Sequence, residues 1–167
     1  MNDILQPMLA SLVDAPLDSP SLVYEPKYDG IRAIAEIAPK GEIRLWSRLG
    51  NEKTDQFPEI SNALRVWSKR LKEPIVLDGE VVALDAAGQP AGFQNLQGRI
   101  HLKGSKDVAV VDRSRPVALI LFDILRDGAD DVRGLPLTER RQRLDVRIQP
   151  DEAGTIRLSE QAFDDGR

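Results

Sequence analysis

The stretch "IRAIAEIAPKGEIRLWSR", residues 31–48, constrains the fold more than any other part of the chain. In its first eight residues one side of an extended chain carries only apolar residues, which are Ile31, Ala33, Ala35 and Ile37. The other side mixes Arg32, Ile34 and Glu36, and this period of two is typical of a half-buried strand. A turn segment, "PKGE", follows, and "IRLWSR" returns as a second strand. The stretch therefore predicts an antiparallel hairpin within a sheet.

Further strands are predicted on both sides of this hairpin. The segments "SLVYE", "PIVLDGEVVALD" and "PVALILFDIL" are apolar runs bounded by turn residues, which is typical of strands. Near the end of the chain, "TIRLSEQAF" predicts a last strand or the start of a helix. The strands follow one another in antiparallel runs rather than in a regular βαβ alternation.

Helices are predicted between these strands. The segments "FPEISNALRVWSKRL" and "LTERRQRLDVRI" carry apolar residues at helical spacing, the second with Thr138 as its N-cap. A short helix is predicted for "FQNLQGRI". Together the elements predict an α+β fold with antiparallel β-sheets flanked by helices. No linker rich in Pro, Gly or Ser divides the chain, so we expect one domain over residues 1–167, with an irregular lead-in over residues 1–20.

Composition and charge exclude several classes of protein. The chain has no cysteine, which excludes a disulfide framework and thiolate metal sites. Its N-terminus has acids and a proline where a signal peptide needs a basic start and an apolar run. No stretch approaches the roughly 20 apolar residues of a membrane helix. The net charge of -4 argues against nucleic-acid binding by bulk electrostatics alone. We expect a cytoplasmic protein with no membrane partner.

Lys27 lies in an unusual setting, between Glu25 and Asp29 in "VYEPKYDGIRA". A lysine attacks an electrophile only when it is deprotonated, so a catalytic lysine needs desolvation or neighbouring cations. Gly30 permits a tight turn and close backbone approach, and Arg32 begins the next strand. This arrangement suits an anionic substrate such as a phosphate. The competing interpretation is a solvated lysine in a surface turn.

Carboxylates within the predicted strands are the second unusual feature. Asp78 and Glu80 are two residues apart and therefore share one strand face. Buried carboxylates need a partner, and a divalent metal, a ribose hydroxyl or an arginine would each serve. In "LILFDIL", Phe122 is either a core residue or a stacking plate for a base, and Asp123 is hard to explain as core.

Several basic residues are interpreted as solvated. Arg48 ends a predicted strand before a glycine turn, and without other information it is a surface arginine. The basic stretches over residues 99–115 and 139–147 are more often solvated faces than binding sites. His101 is the only histidine, which is weak support for acid–base or metal chemistry.

Four segments, taken in order, resemble the motifs of covalent nucleotidyltransferases. They are Glu25-Pro26-Lys27-Tyr28-Asp29-Gly30-Ile31-Arg32, Ser47-Arg48-Leu49-Gly50, Leu77-Asp78-Gly79-Glu80 and Phe122-Asp123-Ile124-Leu125. With "QPMLA", "FQNLQGRI" and "LPLTERRQRL" they resemble the adenylation domain of an ATP-dependent DNA ligase of the bacterial end-joining (ligase D) type. The fold that this resemblance implies is a nucleotidyltransferase, ATP-grasp-like domain.

The resemblance implies a role for each matching residue. Lys27 would attack the α-phosphate of ATP and Asp29 would orient the motif. Arg32 and Arg48 would hold the nucleotide, Phe122 would stack on adenine, and the backbone around Glu25 would read the base edge. Glu80 would bind a ribose hydroxyl or help to place a divalent metal, Mg or Mn. The implied partners are nicked or broken double-stranded DNA, end-joining proteins and fused polymerase or nuclease domains.

The family has two further motifs in this domain, a Glu-Gly pair followed by a lysine and a pair of lysines, and neither is found. We therefore expect an adenylation domain that is incomplete at its C-terminus, without the family's separate OB-fold domain, and weak or inactive in sealing nicks. The alternatives are a non-catalytic fragment that binds nucleotide or DNA, and an RNA ligase or capping guanylyltransferase of the same superfamily.

Overall fold

The protein is described here from a computed structural model that covers residues 5–100, 116–163 and 166. The strands in chain order are β1 Val23–Tyr24, β2 Ile31–Ala38, β3 Glu42–Ser47, β4 Ile75–Leu84, β5 Pro90–Ala91, β6 Val117–Asp127, β7 Asp130–Asp131, β8 Ile156–Leu158 and β9 Ala162–Phe163. The α-helices are α1 Pro58–Ser68, α2 Gln97–Ile100 and α3 Leu137–Arg147. Three short 3₁₀ helices cover Pro39–Gly41, Thr54–Gln56 and Phe93–Leu96. His101 and most of the basic stretch over residues 99–115 lie outside the described residues.

The predicted hairpin forms one side of a seven-stranded sheet within the described residues. The strands run in the order β3-β2-β4-β6-β7, with β5 on β4 and β8 on β6. All neighbours are antiparallel except β8, which pairs with β6 in parallel. The crossover through α3 makes the parallel pairing possible, because parallel strands need a long connection. A separate two-stranded sheet joins β1 to β9. The α+β prediction is confirmed.

One face of the large sheet carries the main core, under α1 and α3. The amphipathic pattern of α1 places Ile60 and Leu64 in this core, and Phe57 joins them from the position just before the helix; all three are nearly inaccessible to solvent. The sheet contributes alternate residues of β2, β4 and β6, which are Ala33, Ala35, Ile37, Ile75, Leu77, Val81, Ala83, Val117, Leu119 and Leu121. This face therefore follows the period of two in the sequence.

The opposite face of the sheet is more covered than the sequence predicts. Ile34, expected on the half-exposed side of β2, is buried with Val76 and Leu125. The lead-in segment supplies the cover, because Leu5 packs into the same cluster. The described part of the lead-in, residues 5–20, forms no helix or strand, and it shields one end of this face from water.

Three sequence-based expectations need correction in detail. Thr138 is not an N-cap, because α3 begins at Leu137 and Pro136 occupies the cap position without a side-chain hydrogen bond. The Pro136 carbonyl accepts from the N–H groups of Glu139 and Arg140, so the first turn closes on the backbone. The segment "FQNLQGRI" forms a 3₁₀ turn followed by α2 rather than one helix. The segment "TIRLSEQAF" forms two strands, β8 and β9. Among the described residues, no helix is long and apolar enough to cross a membrane.

Candidate active site

A strip of polar side chains runs across the sheet face that lies opposite α1 and α3. Arg32 on β2 donates from Nε to Asp78 Oδ1 and from Nη2 to Asp78 Oδ2, both at 2.7 Å. Asp78 on β4 is fully buried, and Arg32 is 26% exposed. Such a two-pronged pair fixes the plane of the guanidinium. Of the three partners that the sequence allowed for Asp78, the structure shows the arginine.

Glu80 lies next to this pair, directly across the strands from Arg32. Burial raises the pKa of Glu80 to about 7, although Arg32 and the N–H of Gly30 favour its charged form. Burial also raises the pKa of Asp78, against the opposing effect of its hydrogen bonds from Arg32. The strip therefore holds carboxyl groups that gain from an additional cation or hydrogen-bond donor.

The turn that carries Lys27 is pressed against β4. A Cβ on Gly30 would lie 2.1 Å from the carbonyl oxygen of Val81, so only glycine allows this approach. Asp29 Oδ2 accepts the backbone N–H of Phe93 at 3.1 Å and ties the turn to the 3₁₀ helix. Lys27 itself is exposed and makes no hydrogen bond or ion pair with the described part of the chain. The close approach predicted for Gly30 is confirmed, and it places the turn that carries Lys27 beside Glu80.

Phe122 on β6 is half-buried on the same face. The guanidinium of Arg32 lies over its ring, 4.8 Å from the ring centre. A cation stacked in this way is attracted by the electrons of the ring. Arg32 is thus held from two sides, by Asp78 and by Phe122, and its Nη2 also donates to the carbonyl of Met8 at 3.1 Å. The lead-in segment therefore contacts the site directly.

The other two predicted site residues lie at the margin. Arg48 is exposed in the turn after β3 and makes no hydrogen bond or ion pair with the residues that the structure describes. Glu25 follows β1, and its Oε1 accepts from Gln161 Nε2 at 2.9 Å. The structure thus gathers Arg32, Glu80 and Phe122, places the Lys27 turn beside them, and leaves Arg48 apart.

Three arginines that the sequence indicated to be solvated are buried or nearly so. Arg99, from the stretch over residues 99–115, is 5% exposed and pairs with Glu59. Residues 139–147 were expected to form a solvated basic face, which is wrong for Arg140 and Arg141. Arg140 is 7% exposed and pairs with Asp123, and Arg141 is 11% exposed. The signal was present in the spacing: both lie three or four residues from Leu137 and from Leu144, on the apolar side of the helix. The partner that Asp123 needed is therefore Arg140.

The donor set on the strip suits a cation shared with a phosphate ligand. Within residues 5–100, 116–163 and 166, no group of three or more Asp, Glu or His side chains converges to hold a metal. Glu80 is a half-buried carboxyl group on the strip, beside the fully buried Asp78. Magnesium is commonly bound by one or two carboxylates together with substrate phosphates and water. Glu80 fits that arrangement.

The candidate site therefore combines a paired arginine, a partly buried carboxyl group and an aromatic ring on one face of the sheet. Comparison with known proteins identifies the family. Residues 7–164 match the family model described as ATP dependent DNA ligase domain. The chain belongs to that family, as its motifs indicated.

Individual relatives agree with this assignment. A probable DNA ligase of Streptomyces coelicolor is 37% identical over 150 residues, which are 87% of this chain and 28% of the relative. The multifunctional non-homologous end joining protein LigD of Pseudomonas aeruginosa is 32% identical over 100% of this chain and 18% of its own length. The chain thus spans less than a third of each of these curated relatives.

The fold agrees as well. The crystal structure of the ligase domain from M. tuberculosis LigD superposes with a TM-score of 0.63 and 27% identity, covering 86% of this chain and 41% of that one. The resemblance to the end-joining type of ligase adenylation domain is confirmed. The alternative of an RNA ligase or capping guanylyltransferase gains no support from these matches.

Proposed function

We propose that this domain carries out the first chemical step of an ATP-dependent DNA ligase, the transfer of AMP to Lys27. The observation that carries the proposal is the strip on one sheet face, where Arg32 is held between Asp78 and Phe122 while Gly30 brings the Lys27 turn against Glu80. The membership of the ATP-dependent DNA ligase domain family supports ATP as the nucleotide.

In this reaction the deprotonated amine of Lys27 attacks the α-phosphorus of ATP. A P–N bond forms, the P–O bond to the β-phosphate breaks, and pyrophosphate leaves with the electron pair. The nitrogen, now bonded to phosphorus, loses one proton to water, and lysyl-AMP remains. An oxygen of a DNA 5′-phosphate would then attack the same phosphorus, break the P–N bond and restore Lys27. Such transfers depend mainly on positioning and charge neutralisation.

The neighbouring residues would bind and orient the nucleotide. Phe122 would stack on adenine, which contributes roughly 1–3 kcal/mol by analogy with other base–aromatic stacks. Arg32 covers part of its ring, so we expect adenine either to take the other ring face or to displace Arg32. Asp29 would keep the Lys27 turn in place through Phe93, and the backbone around Glu25 would read the base edge.

Glu80 would bind a ribose hydroxyl or, with the triphosphate, a divalent cation such as Mg or Mn. The cation, when bound, neutralises charge on the phosphates. A cation next to Glu80 would also lower the pKa of its carboxyl from about 7 and favour the ionised form.

Nicked or broken double-stranded DNA is the proposed partner of the complete ligase. Arg48 is exposed and unpaired within the described residues, so it is available to a nucleotide or to a DNA 5′-phosphate. Because the chain spans 18% of a relative named for non-homologous end joining, attached domains and end-joining partners belong to the same proposal.

Labelling with α-³²P nucleotides tests the proposal. The chain is incubated with labelled ATP or GTP and Mg²⁺ or Mn²⁺, and covalent label is read on a denaturing gel. We expect label from ATP that disappears in Lys27→Ala and persists in Lys69→Ala, a matched change at an exposed lysine. Label from GTP alone would overturn ATP as the substrate. Binding of ATP without any label would favour the non-catalytic binding fragment.

A further inference from the structure

Arg141 on α3 is 11% exposed, and its guanidinium lies close to residues that border the candidate site. Its Nε donates to Asp145 Oδ1 at 2.8 Å and its Nη2 donates to the carbonyl of Ser159 at 2.7 Å. Its Nη1 is buried, has no hydrogen-bond partner in the described structure, and lies 3.9 Å from Glu25 Oε1. One donor of a well-anchored guanidinium is therefore aimed at Glu25, two residues before Lys27.

The segment between Ser159 and Phe163 links this arginine to both sides of the site. Ser159 donates its N–H to the carbonyl of Leu121, the neighbour of Phe122. Gln161 donates to the same Glu25 oxygen that faces Arg141. The next residues form β9, which pairs with β1 immediately before Glu25. Glu25 thus accepts a hydrogen bond from Gln161, which lies just before β9, and faces the guanidinium of Arg141 on α3.

The buried N–H of Arg141 that has no hydrogen-bond partner among the described residues is unfavourable for stability, which indicates another role for this arginine. A buried N–H without a hydrogen-bond partner destabilises the folded chain, and this cost disappears if the Glu25 carboxylate moves slightly and accepts it. Nε and Nη2 of Arg141 donate to Asp145 and to Ser159, and these bonds hold the guanidinium in place when Glu25 moves. Arg141 therefore limits where the Glu25 carboxylate and its backbone can lie.

We propose that Arg141 is a positioning residue that fixes Glu25 and the chain leading to Lys27, and thereby sets the preference for adenine over guanine nucleotides. The inference rests on the proposed function, in which the Glu25 segment reads the base edge. Adenine offers an amino donor at position 6, where guanine offers a carbonyl acceptor. A protein acceptor that is held in place binds the amino group of adenine and disfavours the carbonyl of guanine. An acceptor that is held loosely discriminates less between the two bases.

Binding measurements on the chain test this inference. The dissociation constants for ATP and GTP are measured by calorimetry for the wild type, Arg141→Met and Arg141→Lys. Arg143→Met is the matched control, because Arg143 is 39% exposed on the same helix and pairs instead with Asp127 and Asp130. We expect Arg141→Met to weaken ATP binding about tenfold, because Glu25 loses the cation that limits its position, with GTP binding changed less than twofold. Arg141→Lys should lie between, and Arg143→Met should match the wild type.

Two further variants separate positioning from folding. Gln161→Leu removes the hydrogen bond that Gln161 donates to Glu25 and should lower the ATP:GTP preference while leaving the melting temperature within a few degrees. In Glu25→Gln, adding Arg141→Met should cause no further loss of preference. An unchanged ATP:GTP ratio in Arg141→Met and Gln161→Leu, with wild-type binding intact, would overturn the inference alone. If the wild type binds neither nucleotide, the proposed function fails with it.

Discussion

Two arginine–aspartate pairs meet where β4 pairs with β6, because Asp78 and Asp123 lie directly across from each other, and their surroundings differ more than their chemistry. Arg140–Asp123 lies under α3, with side chains 7% and 10% exposed. Arg140 Nη1 also donates to the carbonyl of Leu135, and Asp123 Oδ1 also accepts the N–H of Ile124. Arg32–Asp78 has the same two-pronged geometry, but Arg32 is 26% exposed and its guanidinium lies over the ring of Phe122.

From this difference we infer that Arg140–Asp123 stabilises the fold and that Arg32–Asp78 belongs to the candidate site. Arg140 joins a helix to the sheet and uses its donors inside the protein. Arg32 joins two strands that are already hydrogen-bonded to each other, so the sheet depends on it less. Its remaining surface faces the side where the nucleotide is proposed to bind. We therefore expect changes at Arg140 to affect folding and changes at Arg32 to affect nucleotide chemistry.

The largest expected effect is the loss of stability in Arg140→Met. The change leaves the Asp123 carboxylate buried without its cation, which in comparable pairs costs about 3–5 kcal/mol of unfolding free energy. Urea denaturation followed by circular dichroism measures it. The exposed Arg143→Met is the control and should change the free energy by less than about 0.5 kcal/mol.

A second substitution sharpens the first. In Arg140→Met with Asp123→Asn, the asparagine oxygen still accepts the N–H of Ile124 while the buried charge is gone. The double variant should therefore regain about 1–3 kcal/mol relative to Arg140→Met. No recovery would show that packing of the arginine stem, rather than its charge, holds α3 to the sheet.

The next effect is on the chemistry, in Arg32→Lys. Lysine keeps the charge but lacks the planar fork that meets both oxygens of Asp78 and the ring of Phe122. We expect the rate of lysyl-AMP labelling to fall about 10–100-fold, since one charge-assisted contact to the nucleotide is misplaced. Unfolding free energy should fall by about 1 kcal/mol or less.

Arg44→Lys on β3, another exposed arginine, is the control for labelling and should leave the rate unchanged. If Arg32→Lys instead loses as much stability as Arg140→Met and labels normally per folded molecule, the two pairs have the same structural role and the comparison fails.

The smallest effect is a pH dependence of stability that comes from Glu80. Its pKa is raised by burial from 4.5 to about 7, so between these pH values the folded chain binds more protons than the unfolded chain. Stability contributed by Glu80 is therefore fully present below pH 4.5 and is lost as pH rises to about 7. Relative to Glu80→Gln, the wild type should lose about 1 kcal/mol across this window, after allowance for solvent screening, and nothing further above it.

Urea denaturation of both proteins at a series of pH values measures the difference. A difference that stays constant from pH 4.5 to 8 would mean that Glu80 is ionised throughout and that burial of the strip is weaker than the structure indicates. Added Mg²⁺ with ATP should shift the window to lower pH, because a cation favours the ionised carboxyl.

The parts of the site that could be predicted are those that lie within one strand or one turn. The period of two in β4 placed Asp78 and Glu80 on one face, and the turn residues around Gly30 predicted its close backbone approach. Both depend on local geometry, which is readable from neighbouring residues. The resemblance in four motifs then connected these segments to one family, which the family model confirms.

Contacts between segments were not predictable to the same degree. Arg32 lies directly across from Glu80 but bonds diagonally to Asp78, a choice that depends on strand register. The burial of Ile34 depends on Leu5 from a segment without regular structure. The burial of Arg140 and Arg141 depends on where α3 lies on the sheet.

The amino-acid sequence by itself determined the α+β class and most strands and helices, because spacing and turn chemistry act over a few residues. The candidate residues from Glu25 to Phe122 were indicated as a set only by the resemblance of four segments to one family. The tertiary structure alone decided the partner of each charged side chain. Asp78 and Asp123 each needed a cation, and the chain offers 23 lysines and arginines. Which of these lies within 3 Å depends on register, helix placement and the path of the lead-in, and these are settled by packing of the whole core.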